Sequence, residues 1–456
     1  MKTFAIDTLG CKVNQYESQQ IIRFLSACNL LYVQNFGQAE IIIIHTCCVT
    51  HIASAKSRQL VRKAQKQNPK AKIIVSGCLV SSDPTELNNL DSKLLFAADL
   101  KGLFSLLKQE LTIAGVDCKS FNDNMLSKTG TIEKFCGQTR AFLKIQDGCD
   151  GFCSYCIIPK TRPDITFKPI EKVLDEAQRL VNAGHKEIVL TGIFLGAYGQ
   201  NSVRRKDWPE GTEDSLANLL EKIAQVPDLK RIRLSSLEPA DVTDKLLNVM
   251  KNYHNIMPHL HLSLQSGSEK ILKKMNRQYT VKDFLNTIEN INGQLDRPAI
   301  TTDIIVGFPG ETIQDFAQSL SVAKLAGFSK IHIFPYSKRS GTAAAKLAES
   351  VDKKVITQRT SALRELEKQL TENYRKQFIG ETKEILIENE VNPSTGSGQG
   401  SGPSTLRQDS VQAYSGRGKC ERYYEITINS DKPLLKGEIV RCVINNDAIS
   451  ASLVDS

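Results

Sequence analysis

The sequence predicts an α/β protein in three parts: an open parallel α/β sheet over residues 1–118, a partial β/α barrel over 138–377 and a small β-barrel over 378–456. A linker is expected at 119–137. Three observations predict this. Short apolar runs alternate with helical patterns in the first part, the rhythm of a parallel sheet. From Ala141 onward about six strand–helix units follow, enough for a barrel or part of one. Beyond Ile379 the pattern changes to short alternating strands.

In the first part, strands are expected at Thr3–Thr8, Ile41–His45 and Lys72–Ser76, and helices at Gln15–Cys28 and Ala53–Gln67. Pro69 and Gly77 punctuate them. The opening residues carry Asp7 early and read as a strand, not a signal peptide. No run approaches the ~18 apolar residues of a membrane span, so a cytoplasmic protein is expected. Barrel strands are expected at Phe142–Gln146, Glu187–Thr191, Arg231–Ser235, His259–Ser263, Ala299–Val306 and Lys330–Phe334. Helical stretches such as Ile170–Ala183, Ser215–Gln225, Ser268–Met275 and Ile313–Ala326 fall between them, and a long charged helix is expected near Lys353–Phe378. Tail strands are expected at Glu384–Glu388, Tyr423–Ile428 and Glu438–Ile444, interrupted by a flexible Ser/Gly/Pro loop at Asn392–Pro403.

Fifty-nine Lys and Arg stand against 50 Asp and Glu, a net charge of +9 and a mild bias towards polyanionic partners. The 12 cysteines say more. In a cytoplasmic chain disulfides are disfavoured, so clustered cysteines suggest metal or redox chemistry. Cys28, Cys420 and Cys442 read as ordinary thiols.

The first constellation is Gly148-Cys149-Asp150-Gly151-Phe152-Cys153-Ser154-Tyr155-Cys156. Three thiols at this spacing can converge on one 4Fe–4S cluster and leave one iron without a protein ligand. S-adenosylmethionine could bind that iron and be cleaved by one electron to a 5′-deoxyadenosyl radical. The site follows the first barrel strand, at the strand end where barrel active sites lie. A structural zinc site is the alternative. It needs a fourth ligand, and only distant Cys136 or His185 offers one.

The second constellation is dispersed. Cys11, Cys47 and Cys78 each follow an expected strand of the first part. C-terminal strand ends share one edge of a parallel sheet, so the thiols could meet there and hold a second cluster. Three unrelated buried thiols remain the alternative, and Cys48 should point away. The third constellation is basic. Residues 51–82 hold seven Lys and Arg and no acid, with Lys56, Lys63 and Lys66 on one helical stripe suited to nucleic-acid phosphates. A solvated face is the alternative. Lys338 and Arg339 follow the last barrel strand and could also reach substrate. Glycine-bearing turns at Thr191-Gly192 and Gly307–Gly310 let backbone approach a ligand. Ser235, Glu238, Gln265 and Asp303 add polar side chains at strand ends.

These segments resemble the tRNA methylthiotransferases of the radical S-adenosylmethionine superfamily. The resemblance rests on Thr8–Ser18, Thr46–Thr50, Ala55–Arg58, Cys149–Pro159, Leu264–Ser268, Asp303–Glu311 and Phe334–Thr342. Cys11–Ser18 and the Phe334–Arg339 segment look like the branch acting on N6-threonylcarbamoyladenosine. The resemblance implies a radical barrel, a TRAM-like RNA-binding tail and two 4Fe–4S clusters. The auxiliary cluster would lie on Cys11, Cys47 and Cys78, and the radical cluster on Cys149, Cys153 and Cys156. It further implies S-adenosylmethionine near Tyr155, Thr191, Gly192, Ser235, Glu238, Gln265 and Asp303. The partners would be a tRNA anticodon stem-loop, an electron donor and a sulfur source. Methylthiolation of another tRNA adenosine or of a protein side chain is the alternative, and an iron–sulfur RNA-binding protein without turnover a weaker one. The chain departs from the family pattern at His45, Phe194, Arg162-Pro163-Asp164 and the tail insert.

Overall fold

The computed structural model describes residues 2–87, 93–116, 130–391 and 414–454. The expected loop at Asn392–Pro403 and residues 119–129 of the expected linker lie outside the described residues.

The first part is a five-stranded parallel sheet. Its strands are β1 (Thr3–Thr8), β2 (Leu31–Tyr32), β3 (Ile41–Thr46), β4 (Lys72–Gly77) and β5 (Leu95–Ala97), in the order β2-β1-β3-β4-β5. Helices α1 (Lys12–Ala27), α2 (His51–Gln67), α3 (Cys78–Ser82) and α4 (Leu100–Ile113) connect and cover it. β3 shows why the sheet forms. Its four isoleucines are fully buried, Ile41 and Ile43 in one core and Ile42 and Ile44 in the other. That is the alternation of a strand covered on both faces. The chain changes direction between β1 and β3, the switch point where open α/β sheets bind ligands. β2 and β5 were not expected, because two or three residues carry no readable period.

The second part has the six expected barrel strands, all parallel. They are β6 (Arg140–Lys144), β9 (Glu187–Thr191), β10 (Arg231–Leu234), continued as β11 (Ser236–Leu237), β12 (His259–Leu262), β13 (Ala299–Val306) and β14 (Lys330–Pro335). The third strand breaks at Ser235, so β10 pairs with β9 and β11 with β12. Two short strands, β7 (Gln146–Asp147) and β8 (Thr166–Phe167), pair antiparallel and bracket the Cys149 loop. A short α5 (Ile158–Thr161) lies within that loop. Helices α6 (Ile170–Asn182), α7 (Ser215–Ala224), α8 (Asp244–Asn252), α9 (Glu269–Met275), α10 (Val281–Gln294), α11 (Ile313–Ala326) and α12 (Lys353–Lys376) follow. Thr280 with Asp283 and Thr312 with Asp315 form reciprocal N-terminal caps that start α10 and α11. Among the described residues no pairing joins β14 back to β6.

The tail is a closed five-stranded barrel, β15 (Thr382–Val391), β16 (Tyr414–Cys420), β17 (Glu425–Ser430), β18 (Ile439–Ile444) and β19 (Ser450–Leu453), in the order β15-β16-β17-β19-β18. Along β17, Ile426 and Ile428 face inward while Glu425 and Thr427 are exposed. β16 escaped the sequence reading because Gly416 and Gly418 resemble a loop. Both sit where strands approach closely: a Cβ on Gly418 would come within 2.3 Å of the Leu386 carbonyl. Cys420 and Cys442 are buried free thiols of this core, whereas Cys28, at the end of α1, is disulfide-bonded and not the free thiol expected. No helix among the described residues is long and apolar enough to cross a membrane.

Candidate active site

The Cys149 loop is fixed by backbone. Gly148 takes φ +84°, and a Cβ there would lie 2.1 Å from the Asp164 carbonyl. The Cys149 N–H donates to the Arg162 carbonyl at 2.9 Å. Ser154 ties the loop to α9 by donating its N–H to the Met275 carbonyl (2.9 Å) and its hydroxyl to the Lys274 carbonyl (2.7 Å). We therefore expect Gly148→Ala to strain the loop by at least about 1–2 kcal/mol. Iron bound after anaerobic reconstitution should fall below that of wild type; unchanged iron would mean the loop tolerates the side chain.

Cys149, Cys153 and Cys156 line one cleft with Tyr155, Glu238 and Arg277. Arg277 is the residue that sequence reasoning missed. Its side chain is only 6% exposed, donates to Cys153 Sγ at 3.1 Å and to the Tyr155 hydroxyl at 3.3 Å, and pairs with Glu238. Nothing local marks it, since it follows α9 and reaches the loop only through the fold. Burial pushes the Cys149 and Cys156 thiols up to about 12. A bound cation overrides this, because a coordinated thiol is deprotonated outright.

Of the other residues expected near S-adenosylmethionine, Tyr155 and Glu238 line this cleft. β9 ends at Thr191, and Gly192 follows it just before Ile193 and Phe194, which line the cleft. Gly192 packs on Gln146, whose side chain accepts from the Phe194 N–H at 2.8 Å. Gln265 is buried at φ +65° with its backbone joined to Asp303 and Ile305. Ser235 and Asp303 face a different cavity, in the barrel lumen.

The N-terminal sheet brings the other thiols together. Cys11 caps α1 beyond β1, Cys47 follows β3, and Cys78 begins α3 beyond β4. Asn14 holds the turns in place by donating to the carbonyls of Leu9 and Thr46, each at 3.0 Å. Gly10 and Gly77 have positive φ, and a Cβ on Gly10 would lie 3.0 Å from the Cys47 Cβ. Burial first, then the charges of Cys78 and Cys11, push the Cys47 thiol up to about 12. Cys48 is enclosed in the core that also holds Cys78, and the neighbouring Cys78 together with burial raises its thiol. Cys48 in turn brings Cys78 down to about 6 against the pull of burial, helped by Arg162.

Arg162 also joins the two sites. Its guanidinium makes two bonds to Glu17 (2.8 and 2.7 Å), two to Asp147 (2.9 and 3.1 Å) and one to Asn14 (3.1 Å). Lys144 bridges Glu17 and Asp147 at 3.1 and 3.0 Å, and His45 lies 3.1 Å from Glu17. All five ionisable groups are buried. Burial alone would raise the Glu17 carboxyl, but Arg162 and Lys144 hold it well below the usual range. The His45 and Arg162 departures thus sit in one ionic network between the sheet and the barrel.

This donor set suits a cluster better than a single ion. Zinc needs four ligands, and the carboxylates that share the cleft with the three thiols, Glu238 and Asp241, are paired with Arg277 and Arg205. His185 is committed elsewhere: its Nε2 accepts from the Phe135 N–H at 3.1 Å and its Nδ1 meets the Thr139 carbonyl at 3.2 Å.

Of the basic residues, Lys56, Lys63 and Lys66 lie on the exposed face of α2, opposite buried Ser57, Val61 and Ala64. Lys338 is exposed, but Arg339 is buried. It donates to Ser54 Oγ at 3.0 Å and pairs with Glu86 at 3.3 Å, so it ties the barrel to α2 and is not held free for phosphate. If the α2 lysines meet tRNA phosphates, changing all three to Gln should flatten the log K versus log salt slope by roughly two to three units. A slope that hardly moves, in affinity titrations over several salt concentrations, would leave them a solvated face.

A partial parallel barrel with three thiols at its C-terminal strand ends defines a radical S-adenosylmethionine enzyme. Comparison with known proteins agrees. The family model of the Radical SAM superfamily matches residues 143–323, and that of the Uncharacterized protein family UPF0004 matches residues 3–97. The chain is 37% identical to the threonylcarbamoyladenosine tRNA methylthiotransferase MtaB of Bacillus subtilis, covering 85% of each chain. It is 38% identical to MtaB of Chlamydia pneumoniae, over 85% of this chain and 87% of that one. A tRNA-2-methylthio-N(6)-dimethylallyladenosine synthase of Acetivibrio thermocellus is 31% identical over 85% and 81%. The radical S-adenosylmethionine methyltransferase TsrM of Kitasatospora setae shares the fold, with a TM-score of 0.52 at 10% identity over 73% of each chain. The chain belongs to the radical S-adenosylmethionine tRNA methylthiotransferase family. As such it works with a 4Fe–4S cluster and S-adenosylmethionine.

Proposed function

We propose that this enzyme adds a methylthio group to C2 of N6-threonylcarbamoyladenosine, beside the anticodon of tRNA, in the cytoplasm. The observation that carries the reading is the pair of three-cysteine sites on strand ends, joined by the Arg162–Glu17 network. Identity of 37% and 38% to enzymes named for that nucleoside supports the substrate. In this reading Cys149, Cys153 and Cys156 would hold the radical cluster and Cys11, Cys47 and Cys78 a second one. When bound, the first and S-adenosylmethionine supply a radical that takes hydrogen from C2, and the second carries the sulfur to be transferred. A planar aromatic C–H offers no acidic proton, so general-base catalysis would not serve.

The chain's own residues bind and orient. Arg277 holds Tyr155 and Glu238 against the thiol loop. Arg162 holds the sheet edge against the barrel. A three-part organisation at 1–118, 138–377 and 378–456 accords with this division, the tail barrel and the α2 lysines serving tRNA. An electron donor and a sulfur source complete the reaction. Variants Cys11→Ala, Cys47→Ala and Cys78→Ala test the reading. They should still cleave S-adenosylmethionine but form no methylthio nucleoside; product retained at wild-type level in all three would remove the second cluster from it.

A further inference from the structure

We propose that the cavity in the barrel lumen receives the carboxylate-bearing threonyl end of the substrate's N6 substituent, with Lys12 and Lys419 as its counter-charges. This rests on the function proposed above and names residues that would set its specificity.

The cavity has a volume of ≈ 400 Å³, within the range of small-ligand sites. All three parts of the chain line it: Lys12 from the start of α1, Ser235, His259 and Asp303 from the barrel, and Lys419 and Tyr423 from the tail. It adjoins the thiol cleft, because Ser236 lines both. On its other side lies Lys12, the residue after Cys11. A base held between the two sets of thiols would direct its N6 substituent here.

The charge is unbalanced. Lys12 and Lys419 are half-buried, and among the described residues neither has a carboxylate partner. Lys419 sits 4.5 Å from the centre of the Tyr423 ring, which stacks on His259 at 4.4 Å. Both lysines act electrostatically on His259 and on Tyr423, so they converge. The cavity's carboxylate, Asp303, is already 3.3 Å from His261. The Arg233 guanidinium is spent on Glu187 and on the carbonyls of Cys420 and Glu421. Two half-buried ammonium groups facing a shared cavity attract an anion more strongly than they would in open water.

Two polar atoms also wait for partners. His259 Nδ1 and Ser235 Oγ are buried without a hydrogen bond among the described residues, and both residues are more than nine-tenths buried. A buried polar atom left unpaired is costly, so such atoms mark where a ligand group is received. The threonylcarbamoyl group offers a carboxylate, a hydroxyl and ureido N–H groups. A dimethylallyl group offers none and would leave every one of these atoms unpaired, the strongest form of discrimination a site can make.

The test compares binding of anticodon stem-loops bearing N6-threonylcarbamoyladenosine, its methyl ester, dimethylallyladenosine or plain adenosine to the iron-reconstituted protein. Wild type should bind the free acid about tenfold or more tighter than the ester. Lys12→Met with Lys419→Met should erase that difference and leave affinity for the plain stem-loop and for S-adenosylmethionine as before. The ester needs no variant, so the comparison stands even if the double variant folds poorly. Retained preference in a folded variant overturns the proposal. So does a fall in S-adenosylmethionine affinity, which would give the lysines to its methionyl carboxylate, or an equal loss for every stem-loop, which would give them to backbone phosphate. Wild type that binds the dimethylallyl stem-loop best would instead overturn the parent function.

Discussion

Protein with Cys149, Cys153 and Cys156 all changed to Ala is expected to lose S-adenosylmethionine cleavage and methylthio product entirely, while keeping about half its iron. The three side chains ring one cleft, and their replacement leaves the N-terminal thiols untouched. Folding should survive, because Ala is smaller than Cys and the loop is held by backbone bonds from Cys149 to Arg162 and from Ser154 to Met275. Iron quantification with electron paramagnetic resonance of the reduced protein checks this. A variant that keeps all its iron would show that the radical cluster lies elsewhere.

Arg162→Met is expected to cost about 3–5 kcal/mol of stability, the usual effect of removing one partner from a buried ion pair. Glu17 and Asp147 would then share Lys144 alone. Product should fall with stability, because the same side chain holds Asn14, which ties the Leu9 and Thr46 turns beside Cys11 and Cys47, while its backbone carbonyl holds Cys149. Arg162→Lys should rescue only part, since an ammonium cannot make the two-pronged contact with Glu17. The network also gives the protein an acid limit. Glu17 and Asp147 have depressed folded-state values, so their stabilisation is complete above the unfolded range of about 4. It is lost as the pH falls from there through the folded values. Thermal unfolding between pH 3 and 7 should show a shallower acid limb in Glu17→Gln than in wild type; identical limbs would remove the network from acid stability.

The strands, and the places of the six cysteines just after strand ends, were legible in the sequence for a physical reason. Parallel strands such as Ile41–Thr46 are continuous apolar runs, and residues just after them share one edge whatever the loop lengths. The network was not legible. Glu17 and Arg162 are 145 residues apart, and each alone reads as a surface charge. Arg339 misled for the same reason, because charge near a strand end suggests solvent and phosphate, whereas Ser54 and Glu86 enclose it. Ser235 and Asp303 were read as one cradle with Glu238, but the break in the third barrel strand turns Glu238 to the thiols and leaves Ser235 in the lumen. Arg277 gave no signal, since its role depends on where α9 ends relative to the Cys149 loop.

The most direct measurement incubates the reconstituted protein with a stem-loop carrying N6-threonylcarbamoyladenosine, S-adenosylmethionine, a reductant and sulfide, and analyses the nucleosides by mass spectrometry. The account predicts a product in which one hydrogen of the base is replaced by SCH3, absent from both the Cys149 and the Cys78 variants. An unaltered nucleoside under conditions in which the same protein cleaves S-adenosylmethionine would contradict it.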